Sequence, residues 1–231
     1  MNSNPKRMDE KIMYQLWYVD HLIFKKISAM IILFVSETDF GLVFLPEDPK
    51  RGLIFYPGGK VEETAYAPLM REAAENGTLC VLLKMPLRLA VLDVNAADGI
   101  QTAYPAVQSW YIGGHSLGGS MAASYAAKHT ETFQGLILLA AYSTEDLRDS
   151  GLSVLSVYGS EDGVLNREKY DAYRENLPEN TLEVVLDGGN HAGFGSYGAQ
   201  DGDGDAKITQ EMQRKLTVDA MQKLWAKQTN C

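Results

Sequence analysis

The chain has 231 residues, of which 45% are hydrophobic and 22% are charged, as in ordinary globular proteins. This length fits one substantial α/β domain, and the composition excludes a disordered chain, a collagen-like fibre and a multi-span membrane protein. The formal net charge is −9 and no run of Lys and Arg offsets it, so we expect no nucleic-acid partner. The two cysteines, Cys80 and Cys231, predict neither a disulfide framework nor a zinc site, which favours a reducing, cytoplasmic location.

The N-terminal segment is apolar over residues 12–35, but four residues interrupt it: Asp20, His21, Lys25 and Lys26. Its longest clean stretch, residues 27–35, is far shorter than the roughly 20 residues that a membrane-spanning helix needs. No small-residue cleavage site follows it, so a secretory signal is poorly supported.

Two interpretations of this segment stay open. The first is an arm or helix over residues 1–26, helical around 14–24, that packs on a single domain covering residues 27–231. The second is a peripheral membrane anchor, because Trp17, Tyr18 and Phe24 lie beside two lysines. The oligomeric state is not indicated by the sequence.

Strand-like and helix-like segments then alternate along the chain. The predicted strands cover residues 27–35, 41–45, 52–56, 79–83, 110–112, 136–141, 154–158 and 182–186. The predicted helices cover residues 62–76, 97–108, 117–129, 167–176 and 208–226, with Pro68 and Pro105 expected to distort the first two. This alternation predicts an α/β fold, a three-layer sandwich with a mostly parallel sheet and helices on both faces. Ligands bind such sheets where loops leave the C-terminal strand ends.

The first chemical motif is a glycine-rich turn after the predicted strand 110–112. Residues 113–119 read GGHSLGG and contain G-x-S-x-G, with Ser116 between Gly114 and Gly118. The glycines leave room for a strained strand-to-helix turn from which the serine oxygen projects. A phosphate-binding turn is the alternative, but the sequence has neither a G-x-G-x-x-G fingerprint nor a P-loop here. We therefore predict that Ser116 is a nucleophile.

A carboxylate follows the next-to-last predicted strand. A serine hydroxyl needs a base to take its proton, and that base needs a carboxylate to hold its tautomer. Asp162 lies in the loop 159–164, with Glu161 as a competing acid. Alternatively, Asp162 only caps the following helix. We favour Asp162 as the acid because the loop turns through a glycine directly after it.

His191 lies in the loop 187–195 (DGGNHAGFG), after the last predicted strand. Of the other histidines, His21 lies in the N-terminal arm, His129 at a helix end, and His115 beside the serine, where its side chain should point elsewhere. We therefore predict that His191 is the base, which gives the chain order Ser, Asp, His.

Two backbone N–H groups should stabilise the developing oxyanion. One is that of Leu117, which follows the serine. The other should come from the loop after the strand 52–56, where Gly59 is our first choice and Lys60 our second. The alternative is that this loop is an ordinary Gly-Gly turn.

These motifs resemble the α/β-hydrolase superfamily over residues 40–225. More narrowly, residues 57–59 (PGG), 114–119 (GHSLGG) and 190–191 (NH) are similar to the compact bacterial members grouped near dienelactone hydrolases. The resemblance implies an eight-stranded sheet and acyl transfer through a covalent intermediate. Dienelactone hydrolases use a cysteine where this chain has Ser116, so their lactone substrate is not carried over.

Many such hydrolases insert a helical cap before the acid loop, but residues 142–153 are too few for one, which predicts an uncapped, open site. Our candidates for lining its pocket are His115, Tyr142, Phe194 and Tyr197.

Residues 201–205 (DGDGD) at first suggest calcium, but Ala206 and Met212 break the EF-hand template, which requires Gly and Glu there. We interpret them as a flexible acidic loop beside the site, with a bound cation as the alternative.

The sequence thus predicts a serine hydrolase of the carboxylesterase type that acts on a small-molecule ester and needs no cofactor or metal. The alternatives are a thioesterase, lipase or amidase with the same three residues, or a non-catalytic ligand binder on the same fold.

Overall fold

The computed structural model describes residues 33–228, with side chains through residue 226. The predicted helix around residues 14–24 and the beginning of the first predicted strand lie outside the described residues, and so does Cys231. The division into an arm over residues 1–26 and a domain over 27–231 therefore stays a prediction.

Eight strands form one sheet. They are β1 (Leu33–Thr38), β2 (Gly41–Pro46), β3 (Arg51–Tyr56), β4 (Thr78–Leu83), β5 (Trp110–His115), β6 (Gly135–Leu139), β7 (Ser153–Gly159) and β8 (Leu182–Leu186). The order across the sheet is β1-β2-β4-β3-β5-β6-β7-β8. β2 pairs antiparallel with both β1 and β4, and every pair from β4 to β8 in this order is parallel. The prediction of a mostly parallel, eight-stranded sheet is confirmed.

Within residues 33–228, five α-helices accompany the sheet: α1 (Ala67–Glu75), α2 (Ile100–Ala103), α3 (Leu117–Ala126), α4 (Arg167–Tyr173) and α5 (Gln210–Gln228). They cover both faces because neighbouring residues of a strand point to opposite sides. In β3, Ile54 packs in the core that contains Ala122 of α3, whereas Phe55 packs in the core that contains Met70 of α1 and Met221 of α5. The three-layer arrangement is thereby confirmed.

Two helix predictions were wrong in extent. Residues 62–76 do not form one distorted helix, because a 3₁₀ turn over Glu63–Tyr66 precedes α1. Pro68 lies in the first turn of α1, where its missing N–H is not needed, so it does not distort the helix. Residues 97–108 contain only the single turn α2, which is preceded by Gly99 in a left-handed conformation (φ 76°).

The segment between β6 and β7, residues 140–152, contains no helix or strand, in agreement with the predicted absence of a cap. Within residues 33–228, none of the helices is both long and apolar enough to cross a membrane.

The parallel register brings the C-terminal strand ends to one edge of the sheet. Tyr56 of β3 pairs with Gly114 of β5, and Gly159 of β7 pairs with Leu186 of β8. The loops that carry Gly59, the predicted nucleophile, the predicted acid and the predicted base therefore leave the sheet along the same edge.

Candidate active site

Ser116 lies in a strained turn between β5 and α3. Its backbone has φ 52° and ψ −124°, on the left-handed side that residues with a side chain rarely adopt. Such a conformation costs about 1–3 kcal/mol and persists only where the surroundings impose it. Here the Ser116 N–H donates to the Leu139 carbonyl at 2.9 Å, which ties the turn to β6.

The two motif glycines make this turn sterically feasible. A Cβ on Gly114 would lie 2.6 Å from the Tyr56 carbonyl oxygen and 2.6 Å from the Gly118 carbonyl carbon. A Cβ on Gly118 would collide with the carbonyl oxygens of Tyr56 and Pro57. All of these obstacles are backbone atoms, so the turn packs directly on the end of β3 and leaves no room for side chains.

Asp162 and His191 form a buried pair. His191 Nδ1 lies 3.0 Å from one Asp162 carboxylate oxygen and 3.1 Å from the other. The side chains are 0% exposed for the aspartate and 2% for the histidine. The aspartate also accepts hydrogen bonds from the N–H groups of Val164 and Leu165, at 2.9 and 2.8 Å. These backbone donors fix the orientation of the carboxylate independently of the imidazole.

Glu161, the competing acid, faces away from this pair. It lies 2.8 Å from Lys207 Nζ at the surface and accepts the Ser160 hydroxyl. Nor does Asp162 cap the next helix, since the N-cap of α4 is Asn166, whose side chain accepts the Lys169 N–H. Of the two acidic residues in this loop, Asp162 is therefore the one in contact with His191, and it does not serve as a helix cap.

The second ring nitrogen of His191, Nε2, is buried and has no hydrogen bond with any described residue, Ser116 included. Hydrogen bonds between a nucleophile and its base are often long in enzymes without substrate and shorten on binding. A buried imidazole nitrogen with no hydrogen-bond partner in the described protein is available to accept a proton.

The predicted oxyanion loop offers one suitable N–H. Gly58 donates its N–H to Tyr66 Oη at 3.1 Å, and Lys60 donates its N–H to the Arg88 carbonyl at 2.8 Å. Within residues 33–228, the Gly59 N–H has no such acceptor. A Cβ on Gly59 would lie 3.0 Å from Leu117 Cδ2, so the two preferred residues are neighbours. Lys60, the second choice, is disfavoured because its donor is engaged.

Three of the four predicted pocket residues form one aromatic group, which contacts the predicted base through His115. The ring centroid of His115 is 4.5 Å from that of His191 and 5.5 Å from that of Phe194. Tyr197 lies 6.4 Å from His115. Tyr142 belongs to a different group, stacked on Tyr173 at 5.4 Å. Contact with substrate stays a prediction for all four.

His115 does not point away from the site as the sequence suggested. Its side chain is buried against the imidazole of His191, and its Nδ1 lies 2.8 Å from Tyr66 Oη. Burial, and then the neighbouring charge of His191, hold the pKa of His115 well below its ordinary value. His115 is therefore neutral in the pH range in which an imidazole can act as a base.

Tyr66 and Asp203 are functional candidates that the sequence analysis missed. Tyr66 accepts the Gly58 N–H, and its hydroxyl oxygen lies 2.8 Å from His115 Nδ1. Asp203 lies in the segment 201–205, which is not the free acidic loop that we expected: its carboxylate accepts N–H groups from the histidine loop. The only sequence signal for either was the acidic repeat itself.

An open cleft of about 480 Å³ lies beside the oxyanion loop, with Lys60, Ala65 and Tyr197 among its lining residues. This volume is in the range of small-molecule sites. The described part of the chain has no group of three or more His, Cys, Asp or Glu side chains that could hold a metal ion.

The comparisons with known proteins agree with this architecture. Residues 52–215, more than half of the chain, match the model of the alpha/beta hydrolase family. No curated protein matches the sequence.

Several solved structures share the fold at low sequence identity. TT1662 from Thermus thermophilus is 15% identical with a TM-score of 0.60, covering 84% of this chain and 98% of its own. A dienelactone hydrolase from Anabaena variabilis is 18% identical with a TM-score of 0.59, covering 83% and 97%. Est1E from Butyrivibrio proteoclasticus is 15% identical with a TM-score of 0.59, covering 84% and 99%. By its family match, supported by this shared fold, the chain belongs to the α/β-hydrolase family, which supports a hydrolase activity on a small molecule.

Proposed function

We propose that the protein is a serine hydrolase that cleaves carboxylic esters through an acyl-enzyme intermediate. The observation that carries this proposal is the buried contact of 3.0 Å between His191 Nδ1 and Asp162, at the same sheet edge as a serine in a strained turn. A ligand-binding site has no need of a buried acid and base in register, whereas proton transfer from a serine requires both.

In the first half of the reaction, Ser116 Oγ attacks the ester carbonyl carbon while His191 Nε2 takes the hydroxyl proton. Asp162 keeps the other imidazole proton on Nδ1 and stabilises the positive charge that forms. The negative charge on the carbonyl oxygen is stabilised by the N–H groups of Leu117 and Gly59. The intermediate collapses, the C–O bond to the alcohol breaks, and the alkoxide leaves with the proton from His191.

In the second half, a water molecule attacks the acyl carbon and gives a proton to His191 Nε2. The bond to Ser116 Oγ then breaks, the serine oxygen recovers the proton, and the carboxylic acid leaves. The unoccupied proton-accepting position on His191 Nε2 suits it for both transfers.

The test is hydrolysis of p-nitrophenyl esters from acetate to decanoate by wild type and by Ser116→Ala. Loss of the nucleophile should lower kcat by about 10⁴-fold or more. Ser124→Ala is the matched control, because that hydroxyl serves only a contact with Glu145, and it should keep wild-type turnover. Equal turnover by wild type and Ser116→Ala would overturn the proposal.

A further inference from the structure

One carboxylate outside the proposed triad holds several loops of the site at once. Asp203 Oδ1 accepts the N–H groups of Gly163, His191 and Gly204 at 3.1, 3.2 and 2.9 Å. Its Oδ2 accepts the Ala192 N–H at 2.8 Å. Hydrogen bonds to an ionised acceptor are roughly twice as strong as those between neutral groups.

The loop that carries Asp203 packs closely on the acid and histidine loops. A Cβ on Gly163 would collide with the Gly202 carbonyl oxygen, and Asn190 Nδ2 donates to the Gly204 carbonyl at 2.8 Å. Residues 201–205 are therefore fitted against their neighbours, which argues against both a free loop and a cation site. A cation at Asp203 would have to displace N–H donors whose dipoles favour the carboxylate.

The two N–H groups of the histidine loop are those of the predicted base and of the residue after it. The third loop contact, from Gly163, comes from the residue directly after Asp162. Both partners of the buried Asp162–His191 contact thus have a backbone segment fixed by the same side chain. A displacement of about 1 Å in such a pair is enough to cost on the order of 10²-fold in rate.

We infer that Asp203 is a positioning residue of the hydrolase, which holds the loops of Asp162 and His191 in register so that Nε2 faces the serine. This inference rests on the proposed function. Within residues 33–228, the Asp203 carboxylate accepts hydrogen bonds from backbone N–H groups only. It takes no part in bond making, so its loss should affect kcat more than KM.

The first test compares Asp203→Asn with Asp201→Asn, which removes the same charge from an exposed neighbour that makes no hydrogen bond with the described residues. Asp203→Asn should lower kcat by about 10-fold or more with KM within about twofold, whereas Asp201→Asn should change neither by more than about twofold. Hydrogen exchange of the peptide that contains His191 and Ala192 should also accelerate in Asp203→Asn and not in Asp201→Asn.

A second variant reaches the same loop without touching a carboxylate. Gly163→Ala pushes the Gly202 carbonyl away and should reproduce the fall in kcat and the faster exchange, even where Asp203→Asn does not fold.

The outcomes separate the two claims. Wild type without ester hydrolysis and without fluorophosphonate labelling would overturn the proposed function and the positioning role with it. Active wild type, with Asp203→Asn or Gly163→Ala as active as Asp201→Asn, would overturn the positioning role alone.

Discussion

Tyr66 Oη lies 2.8 Å from His115 Nδ1 and accepts the Gly58 N–H at 3.1 Å. His115 directly precedes the predicted nucleophile, and Gly58 directly precedes the predicted oxyanion donor Gly59. One phenol therefore joins the loop after β3 to the end of β5. Its pKa is raised by burial and then by the nearby Tyr197, which keeps it protonated and able to donate.

Replacing Tyr66 by Phe should weaken both stability and turnover. Two buried groups would lose their partner, at about 1–3 kcal/mol for each group left unsatisfied, and the oxyanion loop would loosen. We expect kcat to fall by about 10-fold, less than the 10²–10³-fold of a deleted oxyanion donor. Urea denaturation and p-nitrophenyl acetate turnover measure both effects.

The control is Tyr125→Phe, which removes a hydroxyl bound to Asp98, away from the site. It should lower stability and leave kcat unchanged. A Tyr66→Phe enzyme with wild-type kcat would show that the link does not orient the oxyanion loop.

Asp162→Asn should lower kcat by about 10²–10⁴-fold with little change in KM, because an amide no longer holds the imidazole proton on Nδ1. Initial rates at saturating ester measure the effect. Glu161→Gln is the matched control: it weakens surface contacts with Lys207 and the Ser160 hydroxyl and should stay within about twofold of wild type. Comparable losses in both variants would contradict the assignment of the acid.

His115 should make stability depend on pH. Its pKa is lowered in the folded protein from an ordinary value of 6.5, so below that pH the unfolded chain binds a proton that the folded chain does not. Stability contributed by the neutral imidazole is therefore fully present above pH 6.5 and is lost as the pH falls, with a slope of up to about 1.4 kcal/mol per pH unit.

Urea denaturation of wild type and His115→Gln between pH 5 and 7.5 measures this slope. The His115→Gln variant should have a shallower dependence of stability on pH than wild type. Parallel curves for wild type and His115→Gln would be inconsistent with a buried neutral imidazole.

Gly118→Ala should abolish the geometry of the serine turn. The new Cβ meets two carbonyl oxygens of the chain at Tyr56 and Pro57, and backbone cannot yield as a flexible side chain does. We expect a loss of about 1–3 kcal/mol and a fall in kcat. The control is Gly77→Ala, where the new Cβ would lie in open space but the backbone has φ 81°. This variant should lose comparable stability and keep its kcat, so kcat distinguishes strain at the serine turn from strain elsewhere.

Strands and their loops could be predicted from the sequence because local pattern determines both. The run at residues 79–83 is wholly apolar, and β4 is buried along its whole length. Helix extents were less predictable, since the effect of a proline depends on where the helix begins: Pro68 is in the first turn of α1, but it was expected to be internal.

The site was predictable where the type of a residue and the sequence of its loop both indicate the same role, as for Ser116 among glycines. Tyr66 and Asp203 were not, because their roles arise only from the tertiary fold. Tyr66 meets His115 across 49 residues of chain, and Asp203 meets Gly163 across 40. Neither the hydropathy pattern nor a motif marks such pairs, and an exposed aspartate has the same local sequence signature as one bound by several N–H groups.

The most direct measurement of the central claim is the intact mass of the protein after incubation with a fluorophosphonate. We expect a single adduct located at Ser116 by peptide mapping, absent in Ser116→Ala, and formed far more slowly in His191→Ala because the hydroxyl has lost its base. A wild-type protein that remains unlabelled, or an adduct formed equally fast without the imidazole, would contradict it.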